Sequence, residues 1–251
     1  YAQNGLADEA LKCYSQMQDQ GVIPNEVTFS CVLKACGTIK SFEKGEEIHA
    51  EINKQGLLVK NIVLGTSLVD MYAKCGSLHD MYRMFNHMSM TDTTSWNTLI
   101  AGNLHAGDDF AALSVFQVME EKGIEKNEFT LSCALKACSR SISTVEVGRI
   151  MHNQVICSGL QSDLVTESSL VLMYAKCGNL YEAHQVVMNN LTNSNVVAWG
   201  ALIGGFAQHG DFILVRQCLQ DMEQCGVLPN ETIFLNILAT CSHTAHMEDG
   251  L

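Results

Sequence analysis

The sequence predicts an all-α fold, an α-solenoid superhelix of stacked helix-turn-helix repeats, and three observations predict it. The first is internal repetition. VTFSCVLKAC at Val27–Cys36 returns as FTLSCALKAC at Phe129–Cys138, 102 positions later, and MYAKCG at Met71–Gly76 returns at Met173–Gly178 after the same interval. Trp96 returns as Trp199, and GVIPNE at Gly21–Glu26 returns as GIEKNE at Gly123 and GVLPNE at Gly226. The second is a recurrence of apolar residues at steps of three and four, the spacing of one helix face, with no sustained alternation that would suggest strands. The third is that only two prolines occur in 251 residues, so little interrupts a helix.

A period near 102 is too long for one supersecondary unit and divides into smaller ones. Cuts at the acid or amide before each new helix give six blocks: Glu26–Asn61, Ile62–Asp92, Thr93–Asn127, Glu128–Asp163, Leu164–Asn195 and Val196–Asn230. Incomplete blocks flank them at Tyr1–Asn25 and Glu231–Leu251. In chain order, Leu11, Tyr14 and Met17 mark a helix before the first cut, and VTFSCVLKAC opens the block from Glu26. MYAKCG ends the first helix of the next block, whose second helix shows Leu78, Met81, Tyr82, Phe85 and Met88. The block from Thr93 has an apolar helix from Trp96 to Leu104, a turn at Ala106-Gly107-Asp108, and a helix carrying Ala112, Val115, Phe116 and Met119. The blocks from Glu128, Leu164 and Val196 repeat this plan. Glycines at 21, 56, 123, 159 and 226 close second helices, where a left-handed C-cap is wanted. A lone helix pair cannot bury its apolar face, so the pairs must stack.

The composition agrees: 47% hydrophobic and 17% charged residues suit a core that runs along the chain. No apolar run approaches the length of a membrane span. The chain opens mid-repeat at Tyr1-Ala2-Gln3-Asn4-Gly5 without a signal or transit pattern, and reads as a piece of a longer array. Of eleven cysteines several recur in register, Cys31 with Cys133, Cys36 with Cys138 and Cys75 with Cys177, and are read as small buried hydrophobes. Their odd number argues against a disulfide framework and for a reducing compartment, and five-residue pair spacing is not that of a zinc knuckle.

The alternation of about 35, 36 and 31 or 32 residues, with VTFSCVLKAC, MYAKCGSL, SWNTLIAG and YAQNGLADEAL, resembles the pentatricopeptide repeat (PPR) proteins of plants along the whole chain. More narrowly it resembles their PLS subfamily, which alternates standard, long and short repeats. By that resemblance Glu26–Asn61 and Glu128–Asp163 are long, Ile62–Asp92 and Leu164–Asn195 short, and Thr93–Asn127 and Val196–Asn230 standard; Tyr1–Asn25 is a partial standard repeat and Glu231–Leu251 a partial long one. The tail FLNILATCSHTAHMEDGL looks like the last long repeat before a C-terminal extension and deaminase-like domain.

The resemblance implies single-stranded RNA binding, one base per repeat, as the target-recognition part of a C-to-U RNA editing factor in a mitochondrion or chloroplast. Base choice would fall to the fifth and last residues of each repeat. Thr66 with Asp92 would favour guanine, Asn97 with Asn127 a pyrimidine, and Ser168 with Asn195 adenine. Gly200 with Asn230 departs from the pattern and receives no base, while the long-repeat pairs Ser30 with Asn61 and Ser132 with Asp163 are weak contacts. The expected RNA is x-G-Y-x-A-x. The second residue of each repeat would stack on bases: Val27, Val63, Phe129, Val165 and Val197, with Thr94 and Thr232 in the same place. The plain alternative is that these residues pack the seam between repeats. Lys74 and Lys176 could reach phosphates, or be ordinary lysines at helix C-termini. No cofactor is implied; small organellar editing-factor proteins, bound through long repeats, are the implied partners besides RNA.

The charge runs against a nucleic-acid binder: 15 basic and 27 acidic residues give −12. Asp8, Glu9, Glu46, Glu47, Asp80, Glu120, Glu121 and Glu182 fall mostly on second helices, which would face away from a groove. A protein-binding scaffold, or an array that needs a protein partner to bind RNA, is the alternative. No enzyme is expected. His49-Ala50-Glu51 is half of a zinc deaminase signature, but the proline-flanked CxxC is missing, and the register equivalent His152 is followed by Asn153 and Gln154.

Overall fold

The computed structural model describes residues 6–58, 61–140, 145–160, 163–189 and 195–238, and no β-strand occurs among them. Thirteen helices follow one another: α1 (Ala7–Asp19), α2 (Glu26–Ile39), α3 (Phe42–Lys54), α4 (Ile62–Lys74), α5 (Leu78–His87), α6 (Thr93–Ala106), α7 (Asp109–Glu121), α8 (Glu128–Arg140), α9 (Val145–Cys157), α10 (Leu164–Lys176), α11 (Leu180–Asn189), α12 (Val196–Gln208) and α13 (Phe212–Gln224). Residues 231–238 are also helical. Most of the tail expected to form the last long repeat lies outside the described residues. None of the described helices is long and apolar enough to cross a membrane.

Each even-numbered helix starts just after an Asn or Asp, because that side chain caps it. Asn25, Asn61, Asp92, Asn127 and Asp163 accept the backbone N–H three residues on, at Thr28, Leu64, Ser95, Thr130 and Thr166. Asn195 accepts from Val197 and Ala198, and Asn230 from Ile233. A cap of this kind satisfies one of the helix's orphan donors and stabilises it by about 1 kcal/mol. Glycines at positive φ, such as Gly56 (68°) and Gly159 (70°), end the second helices. Lys40 ends α2 in the same left-handed region at φ 56°, a conformation that glycine adopts without a Cβ clash and lysine does not.

The described chain forms two compact units, Tyr1–Lys126 and Asn127–Leu251. In the first, α4 lies between α2 and α6 and against its own partner α5; in the second, α10 lies between α8 and α12 and against α11. α4 buries Leu64, Leu68, Val69, Met71, Tyr72 and Ala73, and α10 buries Leu170, Val171, Met173, Tyr174 and Ala175. Two equivalent glycines allow close approach. A Cβ on Gly45 would sit 2.4 Å from the Met71 sulfur, and one on Gly148 would sit 2.4 Å from the Met173 sulfur.

A half-buried polar pair recurs in both units. His49 Nδ1 lies 2.7 Å from the Tyr72 hydroxyl and His152 Nδ1 lies 3.0 Å from that of Tyr174, with the rings edge-on. His49 is therefore a packing residue on α3, not half of a zinc site. No group of three metal-ligating side chains occurs among the described residues. The cysteine expectation needs correction. Cys36 and Cys138 are fully buried, and burial pushes their thiols up to about 11 and about 12. Cys31 is exposed, and Cys75, Cys133 and Cys177 are half-buried.

Two outcomes follow from this packing. Leu68→Ala, at a fully buried position in the middle of α4, should cost about 2–5 kcal/mol in denaturant unfolding. The histidine pairs impose a pH dependence. Burial, with Arg83 adding to it at His49, lowers both imidazoles below their ordinary 6.5, although Asp80 pulls His49 the other way. The unfolded chain therefore binds more protons, so this stability is complete above 6.5 and lost as pH falls through that value towards the lowered folded ones. Glu167 acts oppositely, since burial raises its carboxyl. Melting temperature should fall more steeply between about pH 7.5 and about pH 5.5 for the wild type than for His49→Gln/His152→Gln.

Candidate nucleic-acid interface

An even-numbered helix packed on both neighbours and on its own second helix keeps only one side open. On α4 that side is Val63, Thr66, Ser67, Asp70 and Lys74; on α10 it is Val165, Ser168, Ser169, Leu172 and Lys176. These residues are three or four apart and form a single stripe along each helix. The second residues of the blocks lie on it: Val27 is 71% exposed, Val63 67%, Phe129 52%, Val165 56% and Val197 60%. Such exposure is incompatible with packing a seam between helices.

The fifth residues lie close by. In the first unit Ser30, Thr66, Lys34, Asp70 and Thr98 line an open groove of about 340 Å³, and the Thr66 hydroxyl lies 2.9 Å from that of Ser95. In the second unit Ser168, Val197, Gly200, Asn230 and Thr232 line one of about 390 Å³. There the Ser132 and Ser169 hydroxyls are 2.9 Å apart, and the Ser168 hydroxyl donates to the carbonyls of Leu164 and Val165. Gly200 leaves open space, since an added Cβ would reach only Ile233 at 3.6 Å. Asn97 differs from the other fifth residues because it is only 6% exposed.

The last residues are the seven caps already described, so Asn61, Asp92, Asn127, Asp163, Asn195 and Asn230 each have a structural duty. Asn195 is the most constrained. Its carboxamide nitrogen donates to the Leu164 carbonyl at 2.9 Å and reaches the buried Glu167 carboxylate at 3.5 Å.

Lys74 is paired with Asp70 at 2.7 Å. Lys176 has Leu172 in that place, so its charge is not offset within its own helix turn. Cys31, Lys34, Ser67, Asp70, Thr98, Ser169, Leu172 and Ala201 are groove residues that the sequence reading missed. Their signal was available: each continues the stripe one helical turn beyond the second or fifth residue of its block.

The stripe also answers the charge. The even-numbered helices carry Glu26, Asp70, Glu128 and the buried Glu167 against Lys34, Lys74, Lys136, Arg140 and Lys176. The acidic excess is on the odd-numbered ones, where α3 alone has Glu43, Glu46, Glu47 and Glu51, and α7 has Asp109, Glu120 and Glu121. Counting the capping carboxylates Asp92 and Asp163 as well, a base edge and a phosphate approaching the stripe meet hydroxyls, amides, apolar side chains and charges that nearly balance.

Comparison with known proteins agrees with this geometry. Residues 1–38 and 91–140 match the PPR repeat family, and residues 66–90 and 197–227 match the PPR repeat; together these cover more than half of the chain. Pentatricopeptide repeat-containing protein At2g33680 of Arabidopsis thaliana is 35% identical over all of this chain and 34% of its own length. The putative At3g15130 is 39% identical over 98% of this chain and 36% of its own length, and the chloroplastic At4g18520 is 34% identical over 96% and 39%. The chain thus spans a little over a third of the length of these relatives. Crystal structures of PPR10 in complex with an 18-nt psaJ RNA element share the fold. They superpose with TM-scores of 0.77 and 0.78 over 96% of this chain and 36% of theirs, at 22% and 21% identity. The chain belongs to the pentatricopeptide repeat family.

Proposed function

We propose that this chain binds single-stranded RNA in sequence-specific fashion, one base per repeat, as the target-recognition part of an organellar C-to-U editing factor of the PLS type. The observation that carries this reading is the open stripe. Exposed apolar second residues, which can stack on bases whatever their identity, stand beside hydroxyl and amide groups that can meet a base edge. PPR10, whose fold this chain shares, holds an 18-nt RNA element. The chloroplastic relative supports an organelle as the place of action. Editing chemistry itself is assigned to a further domain or to a partner.

Read along the chain, Thr66 with Asp92 takes guanine, Asn97 with Asn127 a pyrimidine and Ser168 with Asn195 adenine. The weaker Ser30/Asn61 and Ser132/Asp163 pairs and the unassigned Gly200/Asn230 add little discrimination. The near balance of charge along the stripe means that few counterions are released, so affinity rests on stacking and base edges more than on phosphates. One observation favours a protein partner as well. Phe110, 82% exposed, borders an apolar groove of about 410 Å³ with Tyr82, Phe85, Trp96 and Val118, a place for a protein to bury apolar surface that lies on the short and standard repeats rather than on the long ones expected to hold an editing-factor partner.

The test uses the double duty of the last residue. Asn and Asp cap helices equally well, so Asp92→Asn keeps α6 intact while changing what the base meets. At fixed low salt, the wild type should prefer x-G-Y-x-A-x over a copy with adenine in place of guanine by about tenfold, the worth of one mismatched polar edge. Asp92→Asn should reverse that preference. If both proteins bind both RNAs equally, or bind neither, the proposed reading is wrong.

A further inference from the structure

A cavity in the first unit lies away from the open stripe and shares only Asn61 with the recognition residues. It has a volume of about 610 Å³ and opens between α3, the start of α4 and the end of α5. Its polar lining consists of His49, Asn53, Asn61, Arg83, His87 and Ser89. No carboxylate is among its lining residues, in a chain of net charge −12. Opposite these stand Leu58, Ile62, Met84, Met88 and Met90, an apolar and polarizable wall.

The donors are set by local chemistry. Arg83 pairs with Asp80 at 2.9 Å. His49 Nδ1 and the Tyr72 hydroxyl share a hydrogen bond of 2.7 Å, and in the tautomer that carries its proton on Nε2 the hydroxyl is the donor. Nε2–H is then the remaining donor of His49. The N-terminus of α4, a helix of 13 residues, lies at Asn61 and Ile62 and adds the positive end of its dipole.

The second unit provides an internal control, because the same positions recur there with other side chains. His152 stands for His49, but Ile156 stands for Asn53, Asp163 for Asn61, Gln185 for Arg83 and Asn189 for His87. Gly65, which leaves room at the cavity, becomes Glu167, which is 2% exposed. Where one copy has Arg83 and an open glycine, the other therefore has a neutral Gln185 and a buried Glu167, within the same helical plan.

We propose that this cavity is a binding site for a phosphate monoester joined to a flat ring, of nucleoside monophosphate size. Arg83, His87, His49 Nε2–H and the α4 N-terminus face the phosphate, and the methionine wall faces the ring. Its volume is in the range of small-molecule sites. The phosphate could come from a free nucleotide or from the 5′ end of an RNA, and the chemistry is the same.

The test is calorimetric titration of the full chain with adenosine monophosphate, adenosine and inorganic phosphate. The monophosphate should bind at least about tenfold more tightly than either fragment. Arg83→Gln and His87→Asn place side chains that the second unit already carries at equivalent positions, so the fold should tolerate them. Each should weaken monophosphate binding about tenfold or more, the worth of a charge-assisted hydrogen bond, with unchanged melting. Gly65→Glu should abolish it. Competition then identifies the source: displacement by 5′-phosphorylated RNA but not by 5′-hydroxyl RNA assigns the site to an RNA end, and displacement by neither assigns it to a free nucleotide. Absence of monophosphate binding would overturn the proposal. So would binding that Arg83→Gln leaves unchanged, or equal displacement by both RNAs, since the ligand would then occupy the stripe or another surface.

Discussion

The structure depends on one constraint: the first helix at the centre of each unit must bury three of its sides. α4 is covered by α2, α6 and α5, and α10 by α8, α12 and α11. With 3.6 residues per turn, an α-helix covered on three sides keeps one narrow open strip, and its members must be three or four residues apart. That is why Val63, Ser67, Asp70 and Lys74, or Val165, Ser169, Leu172 and Lys176, share a surface. The proposed recognition chemistry falls on the strip because most of the rest of α4 and α10 is covered. The second helices have an outer side to spare, and they carry the acids that make the chain negative.

The end of each repeat and the start of the next helix meet in one side chain. An Asn or Asp there satisfies a helix donor at Leu64, Ser95, Thr130, Thr166 or Ile233. The same residue stands beside the strip. Helix capping alone would select Asn, Asp, Ser or Thr at these positions, so polar identity at a repeat's last residue is weak support for base reading when taken from sequence. Discrimination between Asn and Asp is a different matter, since both cap and only their outer edges differ.

Much of this was legible in the sequence, for physical reasons that also limit it. The helix starts could be read because a capping residue followed by an apolar helical period is a local signal, and the closing glycines because left-handed backbone excludes most side chains. Exposure of Cys31 was not legible from the register. Cys31 and Cys36 recur together, but five residues turn a helix by about 140°, so one faces the groove and the other the core. The burial of Asn97 and the pairing of Lys74 with Asp70 are likewise tertiary facts, set by how neighbouring helices approach. The cavity at Arg83 depends on Gly65 where the second unit has Glu167, a difference that repeat alignment exposes but to which only packing gives a meaning.

The most direct measurement is photochemical crosslinking of a bound RNA carrying 4-thiouridine at successive positions, with the attached residues read by mass spectrometry. The account predicts adducts on the open strip of the first helices, at or beside Val27, Val63, Phe129, Val165 and Val197, advancing from one to the next as the photoreactive base moves along the RNA. Adducts confined to the acidic second helices, or a pattern that does not move with the base, would contradict it.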